Sequence, residues 1–280
     1  MDRDLLAEFL HVYPYQPATA VWRTVEVACL ATIGLPQGRG LDLGCGDGQL
    51  TAVLCRRTGD RQLVGIDVDS KETDLARGSG LYEAVHTCRA DRIPEPDAAF
   101  DFIVSVSVLE HIDNIEPVLA EARRLLRPGG RLIASVPASG FHTCLRGPLM
   151  VGTSRTVYLR ELDNRLAHFR YWSTEEWRDA LDKAGMELRG CHPFLNCSEV
   201  RRWETLSRFT AGVLHTLFRH KAPIEIQRSL GMRTPGLRMP TMLASLLSTP
   251  LTIGLEDAAP PDERAAGCIA FTATRRHPSD

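Results

Sequence analysis

The 280-residue sequence lacks the segments that direct a protein into or across a membrane. It has no run of 18 apolar residues, and its N-terminus does not place a basic segment before an apolar one. We therefore expect a cytoplasmic protein. Hydrophobic residues make up 44% of the chain and charged residues 24%, which is typical of a globular protein. A chain of this length can bury enough surface to fold without the help of disulfides or structural metals.

Strong charge and closely paired cysteines are also missing. A formal net charge of −2 provides no general attraction to nucleic acid, so we expect no nucleic-acid partner. The eight cysteines are scattered, without a C-x-x-C pair. We interpret them as mostly buried, reduced thiols and expect no metal site.

Short apolar runs alternate with helical patterns between Gly40 and Pro137. Four runs are typical of buried strands: Gly40–Leu43, Leu63–Asp67, Phe102–Val106 and Arg131–Val136. Helical spacing occurs at Gln49–Thr58 and Ile115–Leu126, and Pro128-Gly129-Gly130 follows as a helix stop. The alternation predicts an α/β, Rossmann-like, mostly parallel sheet with helices on both faces. Two later runs that could extend the sheet are Met186–Leu188 and Cys268–Thr274.

A glycine-rich turn follows the first predicted strand, where residues 41–48 read LDLGCGDG. Glycines at alternate positions let the backbone turn tightly and let a ligand approach. The dinucleotide pattern G-x-G-x-x-G would need a third glycine at position 49, which is Gln49. Asp42 precedes the turn, and its charge would repel a pyrophosphate but suit a cation. The turn therefore favours S-adenosylmethionine (SAM), which carries an ammonium and a sulfonium, over NAD.

Asp67 ends the second predicted strand, and a carboxylate at that position can accept hydrogen bonds from both ribose hydroxyls. Asp69 is a weaker candidate for the same role. The competing interpretation of Asp67 is a helix cap or a solvated strand end.

Four segments in order carry a family resemblance: LDLGCGDG, VGIDVD, RADRIP at 89–94 with FDFIV at 100–104, and LRPGGRLIASVP. With them the sequence resembles class I SAM-dependent methyltransferases of the ubiquinone-biosynthesis and small-molecule group, from about Trp22 to Lys183. The resemblance implies a seven-stranded sheet whose last strand is antiparallel, and S-adenosyl-L-methionine as the cofactor.

The resemblance also implies roles for individual residues. Gly44 and Gly46 would lie against the methionine part of the cofactor, with Asp42 at its ammonium. Asp91 would accept a hydrogen bond from the adenine amino group, with Arg92 or Ile93 beside the ring. The full set expected to bind the cofactor is Asp42, Gly44, Cys45, Gly46, Asp67, Val68, Asp91, Arg92 and Ser107.

Two histidines are candidates for a general base. Methyl transfer from a sulfonium depends mainly on holding the acceptor in line, and a hydroxyl acceptor also benefits from a base. His111 follows the fourth strand, at the edge where ligands gather in open α/β sheets, and His142 follows the fifth. His111 could equally form a pocket wall or cap a helix. Tyr13, Tyr15 and His168 are candidate substrate or lid residues.

The pattern divides the chain into four parts. We expect an N-terminal helical lid at 1–35, a SAM-binding core at 36–197, a helical insertion at 198–265, and a last strand and tail at 266–280. Val200–Phe218 has helical spacing, and residues 198–240 hold eight Lys or Arg against three Glu. This basic segment is either a solvated face or a contact with a membrane surface or an anionic substrate.

These observations predict a SAM-dependent methyltransferase that acts on a small molecule, at oxygen, with nitrogen and carbon as alternatives. Residues 105–108 read SVSV in place of an Asn/Asp-Pro-Pro-Tyr/Phe motif, which disfavours methylation of a nucleobase or glutamine amide. A lipid-linked acceptor and a non-catalytic SAM-binding scaffold are the alternatives. The sequence assigns no oligomeric state.

Overall fold

The computed structural model describes residues 1–148, 152–218, 223–234, 236–255 and 261–277. The chain divides into two compact units, each built from three separate segments. Unit 1 comprises Met1–Ala28, Gly140–His168 and Pro193–Gly267. Unit 2 comprises Cys29–Ser139, Phe169–His192 and Cys268–Asp280. Residues 140–168, which the sequence analysis placed in the core, lie in unit 1 together with the whole of the insertion at 198–265. The four-part division of the chain stays a prediction.

A seven-stranded sheet organises the fold, as the family resemblance implies. Its strands are β1 Arg39–Leu43, β2 Gln62–Asp67, β3 Ala84–Thr87, β4 Phe100–Val106, β5 Leu126–Pro137, β6 Met186–Asn196 and β7 Ala266–Arg275. The strand order is β3-β2-β1-β4-β5-β7-β6. Pairing is parallel from β3 across to β5, and β7 runs antiparallel to β5. The Rossmann-like class and the antiparallel last strand are confirmed.

The described helices are α1 Arg3–Val12, α2 Pro17–Ile33, α3 Gln49–Thr58, α4 Ser70–Gly78, α5 Glu116–Leu125, α6 Phe141–Cys144, α7 Arg155–Leu166, α8 Thr174–Lys183, α9 Cys197–Ser207, α10 Val213–Leu217, α11 Pro223–Ser229 and α12 Thr241–Thr252. A π-helical segment, Arg208–Gly212, joins α9 to α10, so the helix expected over Val200–Phe218 changes its winding midway. Arg219 and Lys221 of the basic segment lie outside the described residues. Within the described ranges, none of the helices has the length and apolar content needed to span a bilayer.

The core of unit 2 surrounds the central strands. Leu41 of β1, Val64 of β2 and Ile103 of β4 are fully buried, as expected for strands covered on both faces. Trp177 of α8 packs on Phe271 of β7 with ring centroids 5.0 Å apart. Each such side chain stabilises the fold by roughly 1.5–3 kcal/mol when buried.

The segment Pro128-Gly129-Gly130 does not act as a turn between helix and strand. Helix α5 ends at Leu125 and β5 begins at Leu126, so the three residues lie inside the strand. The ladder with β4 shifts register between Phe100 and Phe102, which accommodates the extra residues. The sequence pattern located the end of the helix correctly and began the strand too late.

One disulfide is an exception to the expectation that the cysteines are mostly reduced thiols. Cys144 at the end of α6 is bonded to Cys197 at the start of α9, both within unit 1. The two cysteines are 53 residues apart, and no short sequence motif predicts that they pair. The other six cysteines are free, and three of them are buried: Cys45, Cys55 and Cys268.

Candidate active site

The glycine turn after β1 is tied to the end of β2. The backbone N–H groups of Gly44 and Cys45 both donate to the carbonyl of Ile66, at 2.9 and 2.8 Å. Gly44 has φ of 82°, and a Cβ there would lie 2.4 Å from Cγ2 of Val108. The first glycine of the motif is therefore required by conformation and by packing against the segment after β4.

Gly46 has a different reason for being glycine. Its φ is 51°, and the nearest atom to an added Cβ would be Oε2 of Glu72, at 3.9 Å. Within the part of the chain that the structure describes, no atom lies closer than this to the added Cβ. A backbone left open in this way is suited to close approach by a ligand.

Asp67 holds the turn and the following loop together through its carboxylate. Oδ2 accepts the Gly46 N–H at 3.0 Å, and Oδ1 accepts the Asp69 N–H at 2.9 Å. Each carboxylate oxygen has a second lone pair, so the group can still accept ribose hydroxyls. Asp69 itself caps α4 by accepting the Lys71 N–H, which separates its role from that of Asp67.

Asp42 is buried behind the turn. Its Oδ2 accepts hydrogen bonds from the hydroxyls of Thr51 and Tyr82, both at 2.6 Å. Loss of hydration on burial raises the pKa of Asp42 to about 6, against the opposing effect of these two bonds. Its direct contact with a ligand ammonium stays a prediction, because the structure gives this carboxylate two protein partners.

A cavity of about 560 Å³ opens beside the turn, within unit 2. This volume falls in the range of small-molecule sites, roughly 300–1,000 Å³. The predicted residues that line it are Gly44, Asp67, Val68, Asp91 and His111. The predicted residues that are not part of its lining are Asp42, Cys45, Gly46, Arg92 and Ser107.

Asp91 lines this cavity and is held by Arg89. The guanidinium of Arg89 donates to both carboxylate oxygens, at 3.0 and 2.6 Å, and lowers the pKa of Asp91. Val68 lines the same cavity with its side chain largely exposed, so it offers an apolar surface to a ligand. Arg92 is exposed and Ile93 is buried in the core.

His111 reaches the cavity from the short 3-10 turn Leu109–His111, and Arg170 fixes that turn. The buried guanidinium of Arg170 donates to the carbonyls of Leu109 and Asp113, the latter at 2.6 Å. The adjacent Phe169 lines the cavity and donates its N–H to the Glu110 carbonyl at 2.9 Å. The sequence analysis assigned neither residue a role, although both lie in the segment that contains His168.

Four residues predicted to act as a base or a lid belong to unit 1: Tyr13, Tyr15, His142 and His168. Nε2 of His142 lies 2.9 Å from a carboxylate oxygen of Asp163, and the ring of His168 lies 6.5 Å from that of Phe141. Tyr13 stacks on Phe9 at 6.1 Å. The roles of these residues as base or lid stay predictions.

Tyr15 is exposed, has φ of 66°, and lines a separate cavity of about 190 Å³ within unit 1. Trp203 and the polar side chain of Arg165 line the same cavity. Its predicted role in a lid is likewise untested.

Comparison with known proteins agrees with this geometry. The sequence profile described as Methyltransferase domain matches residues 41–134. The demethylmenaquinone methyltransferase of Tropheryma whipplei strain Twist is 32% identical over 206 residues, which cover 71% of this chain and 81% of that protein. The 27-O-demethylrifamycin SV methyltransferase of Amycolatopsis mediterranei is 35% identical over 100 residues, 34% of this chain and 36% of its own.

A solved SAM-dependent methyltransferase from Thermotoga maritima shares the fold. It superposes with a TM-score of 0.53 at 18% identity and covers 94% of this chain and 93% of its own. The conserved architecture, the matched profile and the relative aligned over most of its length lead to one assignment: the chain belongs to the class I SAM-dependent methyltransferases.

Proposed function

We propose that this methyltransferase binds SAM in the unit 2 cavity and methylates a hydroxyl oxygen of a small molecule. The observation that carries the proposal is that Gly44, Asp67 and His111 border one cavity. A ligand-binding acid and a candidate base thus face the same space, which is the arrangement a hydroxyl acceptor needs.

The residues present fit the cofactor. The open space at Gly46 admits a ligand against the turn, and Asp67 retains acceptor capacity for a ribose. Asp42 and Asp67 make the turn acidic, which suits a cationic nucleoside and opposes a pyrophosphate. Val68 and Asp91 provide an apolar surface and an acceptor in the same cavity lining, for the adenine.

SAM supplies a methyl group already activated by a positive sulfur. The work left to the protein is to hold the acceptor oxygen in line, which can be worth roughly 7–11 kcal/mol. We assign His111 to accept the hydroxyl proton as the oxygen attacks. Arg170 acts as a positioning residue, since it binds the first residue of the turn that carries His111 and the loop just after that turn.

The names of two relatives support the acceptor class. One acts on a demethylmenaquinone and the other on a demethylrifamycin oxygen, and both acceptors are small molecules. We extend this class to the present chain and place the methyl group on oxygen.

Two measurements test the proposal. Calorimetry should show binding of SAM and of S-adenosylhomocysteine, and none of NAD. A panel of phenols and hydroxylated polyketides incubated with methyl-labelled SAM should then yield labelled ethers, identified by mass spectrometry. Absence of SAM binding, or label found only on carbon or nitrogen, would contradict it.

A matched pair of variants tests the base. His111→Asn should lower kcat by about 10²–10⁴-fold while SAM affinity is unchanged. His142→Asn removes the other candidate and should leave kcat near that of the wild type. The reverse pattern would move the base to His142.

A further inference from the structure

The cavity of about 190 Å³ in unit 1, here called the unit 1 cavity, has no part in the proposed reaction. Trp203, Leu214 and Ile226 contribute apolar side chains to its lining. The described residues that line it include no Asp, Glu or Lys, and Arg165 is the one arginine among them. A cavity of about 150 Å³ in another protein holds one benzene ring. The unit 1 cavity therefore has room for a single ring with a short substituent.

The partly buried guanidinium of Arg165 makes little use of its hydrogen-bonding capacity. Its Nη2 donates to Oγ of Ser207 at 3.2 Å. Within the described ranges, the side chain makes no other hydrogen bond and no ion pair. A guanidinium has five N–H donors, so most of those of Arg165 remain for a ligand.

The buried acid of α9 is engaged by other donors. Glu204 accepts hydrogen bonds from the guanidinium of Arg208 and the hydroxyl of Tyr158, both at 2.6 Å. The backbone N–H groups of Arg146 and Gly147 donate to the same carboxylate, at 2.8 and 3.3 Å. A carboxylate has about four acceptor positions, so this one has no capacity left for the cation of the cavity.

The other acids near this part of the fold do not compensate the charge of Arg165 either. Asp163 on the same helix pairs with His142 at 2.9 Å, and Glu225 of α11 is exposed and lies outside the cavity lining. Loss of hydration lowers the pKa of Arg165, and none of the described carboxylates opposes that effect. A cation withdrawn from water without a counter-ion is unfavourable, so the unit 1 cavity favours an anion.

The π-helical segment Arg208–Gly212 leaves the space that this guanidinium occupies. Gly212 has an ordinary helical φ of −65°, so its conformation does not require glycine. An added Cβ would lie 2.9 Å from Nη1 of Arg165, so a side chain there would displace the guanidinium. Thr210 and Ala211 of the same segment line the cavity, and π-helical turns are frequent at functional sites.

We propose that the unit 1 cavity binds a small organic acid, in which one carboxylate pairs with Arg165 and one apolar ring packs on Trp203. A guanidinium can donate two parallel hydrogen bonds to a carboxylate. The ring of Trp203 is held by that of Trp22, with centroids 5.3 Å apart, and so offers the ligand a fixed surface. An inorganic oxyanion has no group that could cover the apolar lining. This inference concerns unit 1 alone and does not depend on the cofactor site.

Titration calorimetry with phenylacetate tests the proposal, on the full chain and without SAM. Phenylacetate should bind, and phenylacetamide, which has the same shape and no charge, should bind at least about tenfold more weakly. Sulfate at the same concentration should not displace phenylacetate. Equal affinity for the acid and the amide, or displacement by sulfate, would overturn the proposal.

A matched pair of arginine variants locates the site. Arg165→Met should weaken phenylacetate binding at least about tenfold and leave phenylacetamide binding unchanged. Arg160→Met removes the same charge from an exposed position on the same helix, outside the cavity lining, and should bind phenylacetate as the wild type does. Equal weakening by the two variants would overturn the proposal, because the effect would then follow net charge.

Gly212→Ala provides a second variant, which keeps Arg165. The added methyl group displaces the guanidinium, so phenylacetate should bind several-fold more weakly while phenylacetamide binding is unchanged. Circular dichroism and urea unfolding show whether each variant is folded under the conditions of the titration. If Gly212→Ala and Arg165→Met both bind phenylacetate as tightly as the wild type, the proposal is wrong.

Discussion

Asp67 accepts a hydrogen bond from the backbone N–H of Gly46 at 3.0 Å. The acid proposed to bind the ribose and the turn proposed to hold the methionine part are thus one hydrogen-bonded unit. A change at Asp67 affects the shape of the turn as well as the contact with the ribose.

Asp67→Asn tests this coupling. The amide offers one acceptor oxygen where the carboxylate offers two, so either the Gly46 or the Asp69 N–H loses its partner. We expect SAM affinity to fall about 10–100-fold, the equivalent of one hydrogen bond to a charged group. Calorimetry measures this. Asp69→Asn is the control, because Asn also caps a helix, and its SAM affinity should be unchanged.

The two glycines of the turn should respond differently to alanine. Gly44→Ala should destabilise the protein by about 1–3 kcal/mol, since its Cβ overlaps Val108. Adding Val108→Ala should restore part of that loss. Gly46→Ala should cost about 1 kcal/mol of backbone strain yet weaken SAM binding more than its stability loss suggests. Urea unfolding measures the loss of stability, and calorimetry on the same samples measures the loss of SAM affinity. If Val108→Ala restores no stability to Gly44→Ala, the packing argument is wrong.

Asp42 should make stability depend on pH in an unusual direction. Its pKa of about 6 in the folded protein exceeds the ordinary value of 3.8, so the folded state holds the proton more tightly than the unfolded chain. The contribution is unfavourable above pH 6 and disappears as pH falls toward 4. Asp42→Asn should therefore gain on the order of 2–3 kcal/mol over the wild type at about pH 8, and little at about pH 4.

Urea unfolding of the wild type and of Asp42→Asn at each pH measures the difference in their free energies of unfolding. The other titrating groups are the same in both proteins, so their effects cancel in this difference. A constant difference across the range would show that the carboxylate is not titrating as proposed. The same variant should bind SAM less tightly, because the negative charge behind the turn is lost.

Arg170→Met should impair catalysis through the turn that carries His111. Two backbone carbonyls, of Leu109 and Asp113, would lose their donor. We expect kcat to fall by about tenfold or more, with a stability loss of about 1–3 kcal/mol. Arg170→Lys, which keeps a donor, should recover part of kcat. If the Arg170→Met variant has the same kcat as the wild type, His111 does not depend on the hydrogen bonds from Arg170.

The disulfide should be visible by thiol counting. In denaturant without reductant, six thiols should react and two should not, since only Cys144 and Cys197 are bonded. Peptide mapping should identify that pair. Cys144→Ser should destabilise the protein by about 2–4 kcal/mol, the usual effect of a disulfide. Eight reactive thiols would contradict the pairing.

The sequence predicted the parts of this molecule that depend on local patterns. The strands around Leu41, Val64 and Ile103 are apolar runs, and the Gly44 turn is a short motif, so both could be located from the chain alone. Asp67 and Asp91 were placed through motifs, and the structure brings both to one cavity.

Features that depend on contacts distant in the chain could not be predicted. Arg170 reaches carbonyls 57 and 61 residues away, and the spacing of Cys144 and Cys197 carries no signal. The burial of Asp42, which the sequence analysis placed against the ligand, likewise depends on where Thr51 and Tyr82 come to lie.

Strand β7 is the last of the sheet in sequence, yet it lies between β5 and β6. During synthesis β6 is therefore made before its neighbour β7, and β6 can join the sheet only after β7 has been made as far as Arg275. A product that stops short of Ala266 would present two open strand edges, a target for aggregation and for quality-control proteases.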